Sequence, residues 1–162
     1  MPQVSKQAAV RPVFTLRCGA VRTNFGGIFP IFQQGRPTMS MNSLTVCIVE
    51  DDLDVCESLA ALVTASGLIC HTFDSAEALL RCEIGSRCQC LIIDVDLPEM
   101  NGIQLLSTLR QQGCTTPAIF YSGRREGRIR AAAELLGNVP FIAKGGPPDE
   151  IRDRLHELLG VS

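Results

Sequence analysis

The chain has 162 residues, 46% of them hydrophobic, and a formal net charge of −2. That is enough to bury a substantial core in one domain with an appendage, and the balance is that of an ordinary soluble globule. No apolar run approaches the ~18 residues a membrane helix needs, so a membrane span is excluded.

Charge is uneven along the chain. Residues 1–43 carry Lys6, Arg11, Arg17, Arg22 and Arg36 with no acid, giving +5 against −7 for the remainder. This segment lacks sustained periodicity and is dotted with Gly, Pro, Gln and Ser, so it is expected to be a disordered basic tail. An organellar leader, or a translation start at Met39 or Met41, would look the same. The domain proper is placed at 44–162.

From Leu44 the pattern alternates. Leu44–Val49 reads as an apolar strand ending in Glu50-Asp51-Asp52. Asp54 and Glu57 then form a capping-box-like start for a helix with Val55, Leu59, Leu62 and Val63 on one face and Gly67 at its end. Leu68–Phe73 is a second strand, followed by a helix capped by Asp74 or Ser75 and running to about Arg81. The run Leu91-Ile92-Ile93-Asp94 is a third strand, broken by Pro98, Asn101 and Gly102, with Ile103, Leu106 and Leu109 marking the next helix. Pro117–Tyr121 is a fourth strand ending at Ser122-Gly123. An Arg- and Ala-rich helix opens with Arg124, Arg125, Arg128 and Arg130 and runs to about Leu136. Val139–Ala143 is a fifth strand ending at Lys144. The last helix opens at Pro147-Pro148-Asp149-Glu150 and buries Ile151, Leu155 and Leu158. Five βα units with short connections imply an α/β, doubly wound parallel sheet with helices on both faces.

The cysteines (Cys18, Cys47, Cys56, Cys70, Cys82, Cys88, Cys90 and Cys114) are scattered, several within apolar patterns, with no secretory signal ahead of them. They are expected to be buried reduced thiols in a cytosolic protein. Cys88 and Cys90 lack the spacing of a structural zinc site.

The polar residues at the strand ends share one sheet edge. Glu50 and Asp51 end the first strand, Asp94 the third, Ser122 the fourth and Lys144 the fifth. Carboxylates gathered there resist ionisation unless a cation joins them, and hard oxygen ligands suit Mg²⁺. A lysine and a hydroxyl opposite the metal make a pocket for a phosphoryl group, and Asp94 is placed to be a nucleophile giving an acyl phosphate. Each residue also has a plainer role to weigh: turn former for Asp94, solvated acids for Glu50 and Asp51, a nearby acid for Asp52, loop cap for Ser122, core packing for Phe141, solvated face for the Arg cluster.

Four motifs, Ile48-Val49-Glu50-Asp51-Asp52, Asp94-Val95-Asp96-Leu97-Pro98-Glu99-Met100-Asn101-Gly102, Tyr121-Ser122-Gly123 and Phe141-Ile142-Ala143-Lys144, stand in order at successive strand ends. Residues 44–162 thereby resemble a receiver domain of a two-component response regulator. The resemblance implies a flavodoxin-like fold of strand order 2-1-3-4-5 with the site near the switch point. It implies Asp94 as phosphoacceptor, and Mg²⁺ ligated by Asp51, Asp94 and the backbone carbonyl of Asp96, with Glu50 acting through a bound water. It implies Ser122 and Lys144 on the phosphoryl oxygens, and Phe141 as an aromatic that changes rotamer when Ser122 moves. The family usually has a cis proline after the lysine; here Gly145-Gly146 stands there, so a trans and more mobile loop is expected.

The function expected is a phosphorylation switch rather than an enzyme, taking its phosphoryl group from a histidine kinase or phosphotransfer protein and acting on a downstream protein. Because the sequence ends just after the fifth helix and shows no helix-turn-helix pattern, a stand-alone cytoplasmic regulator without specific DNA or membrane binding is expected. Two other readings remain. A pseudo-receiver that is never phosphorylated would keep the fold, and Gly145 leaves it room. An aspartate-nucleophile phosphatase would share Asp94-Val95-Asp96, but there the nucleophile strand opens the domain, and here Pro98 replaces a small residue.

Overall fold

The computed structural model describes residues 44–82, 87–123 and 127–161. The predicted tail over 1–43, Cys18, and Arg124 and Arg125 of the basic cluster lie outside the described residues. Among the described residues ten elements alternate: β1 (Thr45–Val49), α1 (Leu53–Ala65), β2 (Ile69–Phe73), α2 (Ala76–Leu80), β3 (Cys90–Asp94), α3 (Gly102–Gln111), β4 (Ala118–Ser122), α4 (Gly127–Leu135), β5 (Phe141–Ala143) and α5 (Pro148–Leu159). The strands form one sheet in the order β2-β1-β3-β4-β5, every neighbour parallel, as the family resemblance implied.

Side-chain alternation divides the apolar residues between the two faces of the sheet. Val49, Ile93 and Phe120 point to the face covered by α2, α3 and α4, among Leu79, Leu105, Leu106 and Ile129. Val46, Ile48, Ile92, Ile119 and Ile142 point to the other, covered by α1 and α5 through Leu59, Val63, Ile151 and Leu155. The central strand β3 is buried along all five residues, which is why it reads as an unbroken apolar run.

Local details depart from expectation at two ends. The N-cap of α1 is Asp52, whose carboxylate accepts from the amides of Asp54 and Val55, so the helix starts ahead of the Asp54–Glu57 pair. The acid read as a bystander thus satisfies two of the helix's orphan amides. At β5 the strand begins only at Phe141, because the Val139 amide donates to the Ala133 carbonyl and stays tied to the end of α4. Ser75 caps α2 and a proline stands in the first turn of α5, as the sequence implied, while α3 adds a reciprocal Asn101–Gln104 capping box where only a turn was expected.

Seven cysteines fall among the described residues and form no disulfide there, and Cys47, Cys56, Cys88 and Cys90 are buried. Cys88 and Cys90 belong to the cores on opposite faces of the sheet, so they cannot share an ion. Among the described residues no helix is long and apolar enough to cross a membrane.

Candidate functional site

Sheet register assembles the site. Val49 pairs with Ile93, so Glu50 and Asp94 leave β1 and β3 side by side. Asp94 pairs with Tyr121, and Ser122 with Ala143, which brings Ser122 and Lys144 to the same carboxyl edge one residue further on. Residues from four loops far apart in sequence meet there for no reason beyond parallel strands of matched length.

Asp94 is 3% exposed, with both carboxylate oxygens engaged. Oδ1 accepts the Asp96 amide at 3.0 Å, and Oδ2 accepts from Lys144 Nζ at 2.8 Å. Lys144 also donates to Glu50 Oε1 at 2.8 Å, and the Asp52 amide donates to that oxygen at 3.3 Å. The ammonium therefore bridges two acids and sits 5.8 Å from the Tyr121 ring centroid.

Burial pulls the Lys144 ammonium down, yet its hydrogen bonds to Asp94 and Glu50 outweigh that and hold its pKa above the ordinary lysine value. For Glu50 the balance falls the other way. Burial pushes its carboxyl up, Lys144 opposes this, and the neighbouring Asp94 charge adds to the rise. Lys144 is thus a fixed positive charge at neutral pH, set between two acids that repel one another.

One cation does not satisfy the cluster. Among the described residues Glu50 Oε2 is buried without a hydrogen-bond partner, an arrangement native structures rarely leave uncompensated. Glu50, Asp51 and Asp94 each offer a carboxylate oxygen, all within 4.8 Å of one another. Asp51 is solvent-exposed while the other two are buried, so the cluster opens to water on one side. An all-oxygen, multiply negative set with an open side fits a small hard divalent cation such as Mg²⁺, which keeps part of its water.

The remaining predicted residues fall around this cluster. Ser122 is fully buried, and its hydroxyl donates to Asp96 Oδ2 at 2.9 Å. Phe141 is half-buried and packs against the core on the α2, α3 and α4 face, less enclosed than a core aromatic because β5 is an edge strand. No peptide bond among the described residues is cis, and Gly145 sits at φ +84°, a left-handed conformation open to glycine; Lys144 still reaches both acids. Of the basic cluster, Arg130 is exposed and pairs with Glu134 at 3.6 Å, both side chains in solvent.

Sequence reasoning missed three contributors. The side chain of Asp96, as distinct from its carbonyl, holds Ser122. Tyr121 flanks Lys144. Gly102 is required by space: a Cβ there would lie 2.1 Å from the Asp94 carbonyl oxygen. Only the last had a visible signal, the Asn101-Gly102 pair where the chain re-enters a helix.

A doubly wound domain with three acids, a lysine and a hydroxyl at one sheet edge is the arrangement of phosphoacceptor signalling domains. The family model described as the response regulator receiver domain matches residues 46–156, and the chain belongs to that family. It is 35% identical over 138 residues to response regulator protein TodT of Pseudomonas putida, covering 85% of this chain and 60% of TodT. It is 37% identical over 113 residues to response regulator protein TmoT of Ectopseudomonas mendocina, covering 69% of this chain and 51% of TmoT. The chain thus spans roughly half to three fifths of the length of these relatives. The fold resembles that of the Francisella response regulator 1452 receiver domain, with TM-score 0.67, 21% identity and coverage of 72% of this chain and 97% of that one. It likewise resembles a chain of the CheX-CheY-BeF3-Mg²⁺ complex from Borrelia burgdorferi, with TM-score 0.65, 21% identity and coverage of 71% and 88%.

Proposed function

We propose that this chain is a phosphorylation-dependent switch in which Asp94 accepts a phosphoryl group from a phosphohistidine of a histidine kinase or phosphotransfer protein. An Asp94 carboxylate oxygen attacks phosphorus, a new O–P bond forms, and the bond to the donor nitrogen breaks, releasing neutral imidazole from a phosphohistidine protonated on its other ring nitrogen and leaving an acyl phosphate. The observation that carries this reading is that Asp94, at 3% exposure, is held by Lys144 at 2.8 Å inside a cluster with Glu50 and Asp51. Lys144 neutralises charge on the transferring oxygens, and the Asp96 amide fixes the orientation of the nucleophile. Asp51, Asp94 and Glu50 would hold Mg²⁺, with the Asp96 carbonyl added by family resemblance; the ion supplies further charge neutralisation at the phosphoryl group. The Borrelia complex contains both BeF3 and Mg²⁺, which supports the same ion and a phosphoryl-like ligand here.

Output would run through the face made by α4, β5 and α5, where Phe141 is only half-buried. A bias of a few kcal/mol between two existing states suffices for such a change. The downstream target is a protein, and the setting that supplies phosphohistidine donors is the cytoplasm. The test is incubation with Mg²⁺ and acetyl phosphate, followed by intact mass. Wild type should gain one phosphoryl unit and Asp94→Ala none. Uptake by both sinks the acceptor assignment. No uptake by wild type, with kinases supplied as well, leaves a pseudo-receiver, and rapid turnover of general phosphate esters would point to a phosphatase.

A further inference from the structure

Ser122 does not face an empty pocket. Its buried hydroxyl donates to Asp96 Oδ2 at 2.9 Å, while the amide of the same residue donates to Asp94 Oδ1 at 3.0 Å. Asp96 therefore touches the acceptor carboxylate through its backbone and the phosphoryl-binding hydroxyl through its side chain. A hydroxyl has a single proton to donate. While that proton is given to the Asp96 carboxylate, it is not available to a phosphoryl oxygen, and a hydrogen bond to an ionised acceptor is stronger than a neutral one.

We propose that the side chain of Asp96 is a positioning residue that latches Ser122 in the unphosphorylated arrangement and so sets the threshold for switching. The proposal rests on the reading of Asp94 as phosphoacceptor. A phosphoryl group brings close to two negative charges beside Asp94. It competes with the Asp96 carboxylate for the Ser122 proton and repels that carboxylate as well. Exchange of one donor between two anionic acceptors is a two-state element, and whatever stabilises one partner weakens the other by the same factor. Asp96 is exposed on the loop after β3, so its side chain is replaceable without opening the core.

The experiment is titration calorimetry of the full chain with trifluoroberyllate and Mg²⁺, across wild type, Asp96→Ala, Asp96→Asn, Ser122→Ala and the Asp96→Ala/Ser122→Ala double variant. If the latch exists, Asp96→Ala tightens trifluoroberyllate binding by a factor of about five or more when Ser122 is present, and much less when it is alanine. Asp96→Asn, which keeps an acceptor oxygen but drops the charge, should fall between. Amide resonances of Ser122 and Gly123 in unliganded Asp96→Ala should move toward their trifluoroberyllate-bound positions, which simple loss of stability would not produce. Equal tightening in both Ser122 backgrounds would mean that Asp96 acts by charge alone, and the latch is wrong. Wild type that binds no trifluoroberyllate overturns the phosphoacceptor reading itself and the latch with it.

Discussion

Lys144 Nζ lies 2.8 Å from Asp94 Oδ2 across 50 residues of sequence, and the same ammonium lies 2.8 Å from Glu50 Oε1. Without Lys144, two buried acids would face one another uncompensated. Breaking a fully buried pair costs roughly 3–5 kcal/mol. The Lys144 side chain is 23% exposed, so water screens part of the interaction, and Lys144→Ala should cost about 1–3 kcal/mol in chelator. Urea unfolding with EDTA measures this, and added Mg²⁺ should restore part of the loss. Phosphoryl uptake from acetyl phosphate should fall about 10-fold or more. A variant as stable as wild type in chelator would show that Glu50 and Asp94 are balanced by something else.

The second expectation concerns the cation. A ligand that binds only the native state adds RT ln(1 + [L]/Kd), about 2.7 kcal/mol at 100 times Kd. Glu50, Asp51 and Asp94 form the cluster, and exposed Asp51 is the member whose change disturbs packing least. Thermal unfolding of wild type should therefore shift upward with Mg²⁺ concentration, while Asp51→Asn should lose most of the shift and, with one repelling charge fewer, be at least as stable as wild type in EDTA. An equal Mg²⁺ response in both proteins would remove Asp51 from the ion's shell.

What could be read in advance follows from where the signal lies. Asp94 and Lys144 announce themselves because each ends an apolar run on a strand, and parallel strands deliver their ends to one edge. The cap of α1 did not, since Asp52 and Asp54 are both good N-cap residues two apart, and only backbone geometry distinguishes them. The Ser122–Asp96 bond joins residues 26 apart on different loops, so no local pattern encodes it. The late start of β5 arises because Val139 bonds back to α4, a tertiary choice that an apolar run cannot reveal.

Gly102 supplies the third prediction. A methyl group there would meet the Asp94 carbonyl oxygen at 2.1 Å and the Ile93 side chain at 2.7 Å, and neither neighbour is free to yield. Overpacking at buried sites costs about 1–3 kcal/mol, and contact with backbone places Gly102→Ala at the upper end. The displacement also reaches Asp94, so phosphoryl uptake should slow along with the loss of stability. Gly123→Ala is the control, because a Cβ there meets nothing within 4 Å. Comparable losses from both substitutions would show that close approach of α3 to Asp94 is not the cause.

The last prediction concerns alkaline pH. Burial pushes the Cys90 and Cys70 thiols from an ordinary value of 9.0 up to about 12. In the unfolded chain these thiols ionise near their ordinary value, so between about 9 and 12 unfolding releases protons that the native state retains. Stability that is whole below pH 9 must therefore decline as pH rises through that window. Lys144, whose native pKa is raised, adds to the decline only as pH passes the ordinary lysine value of 10.5. Urea midpoints measured in reductant at pH 7.5, 9 and 10.5 should fall in that order. Cys90→Ala should be less stable than wild type at pH 7.5 because it leaves a small void beside β1, but its midpoint should drop less steeply with pH. Parallel slopes for the two proteins would mean that the Cys90 thiolate is tolerated inside the sheet.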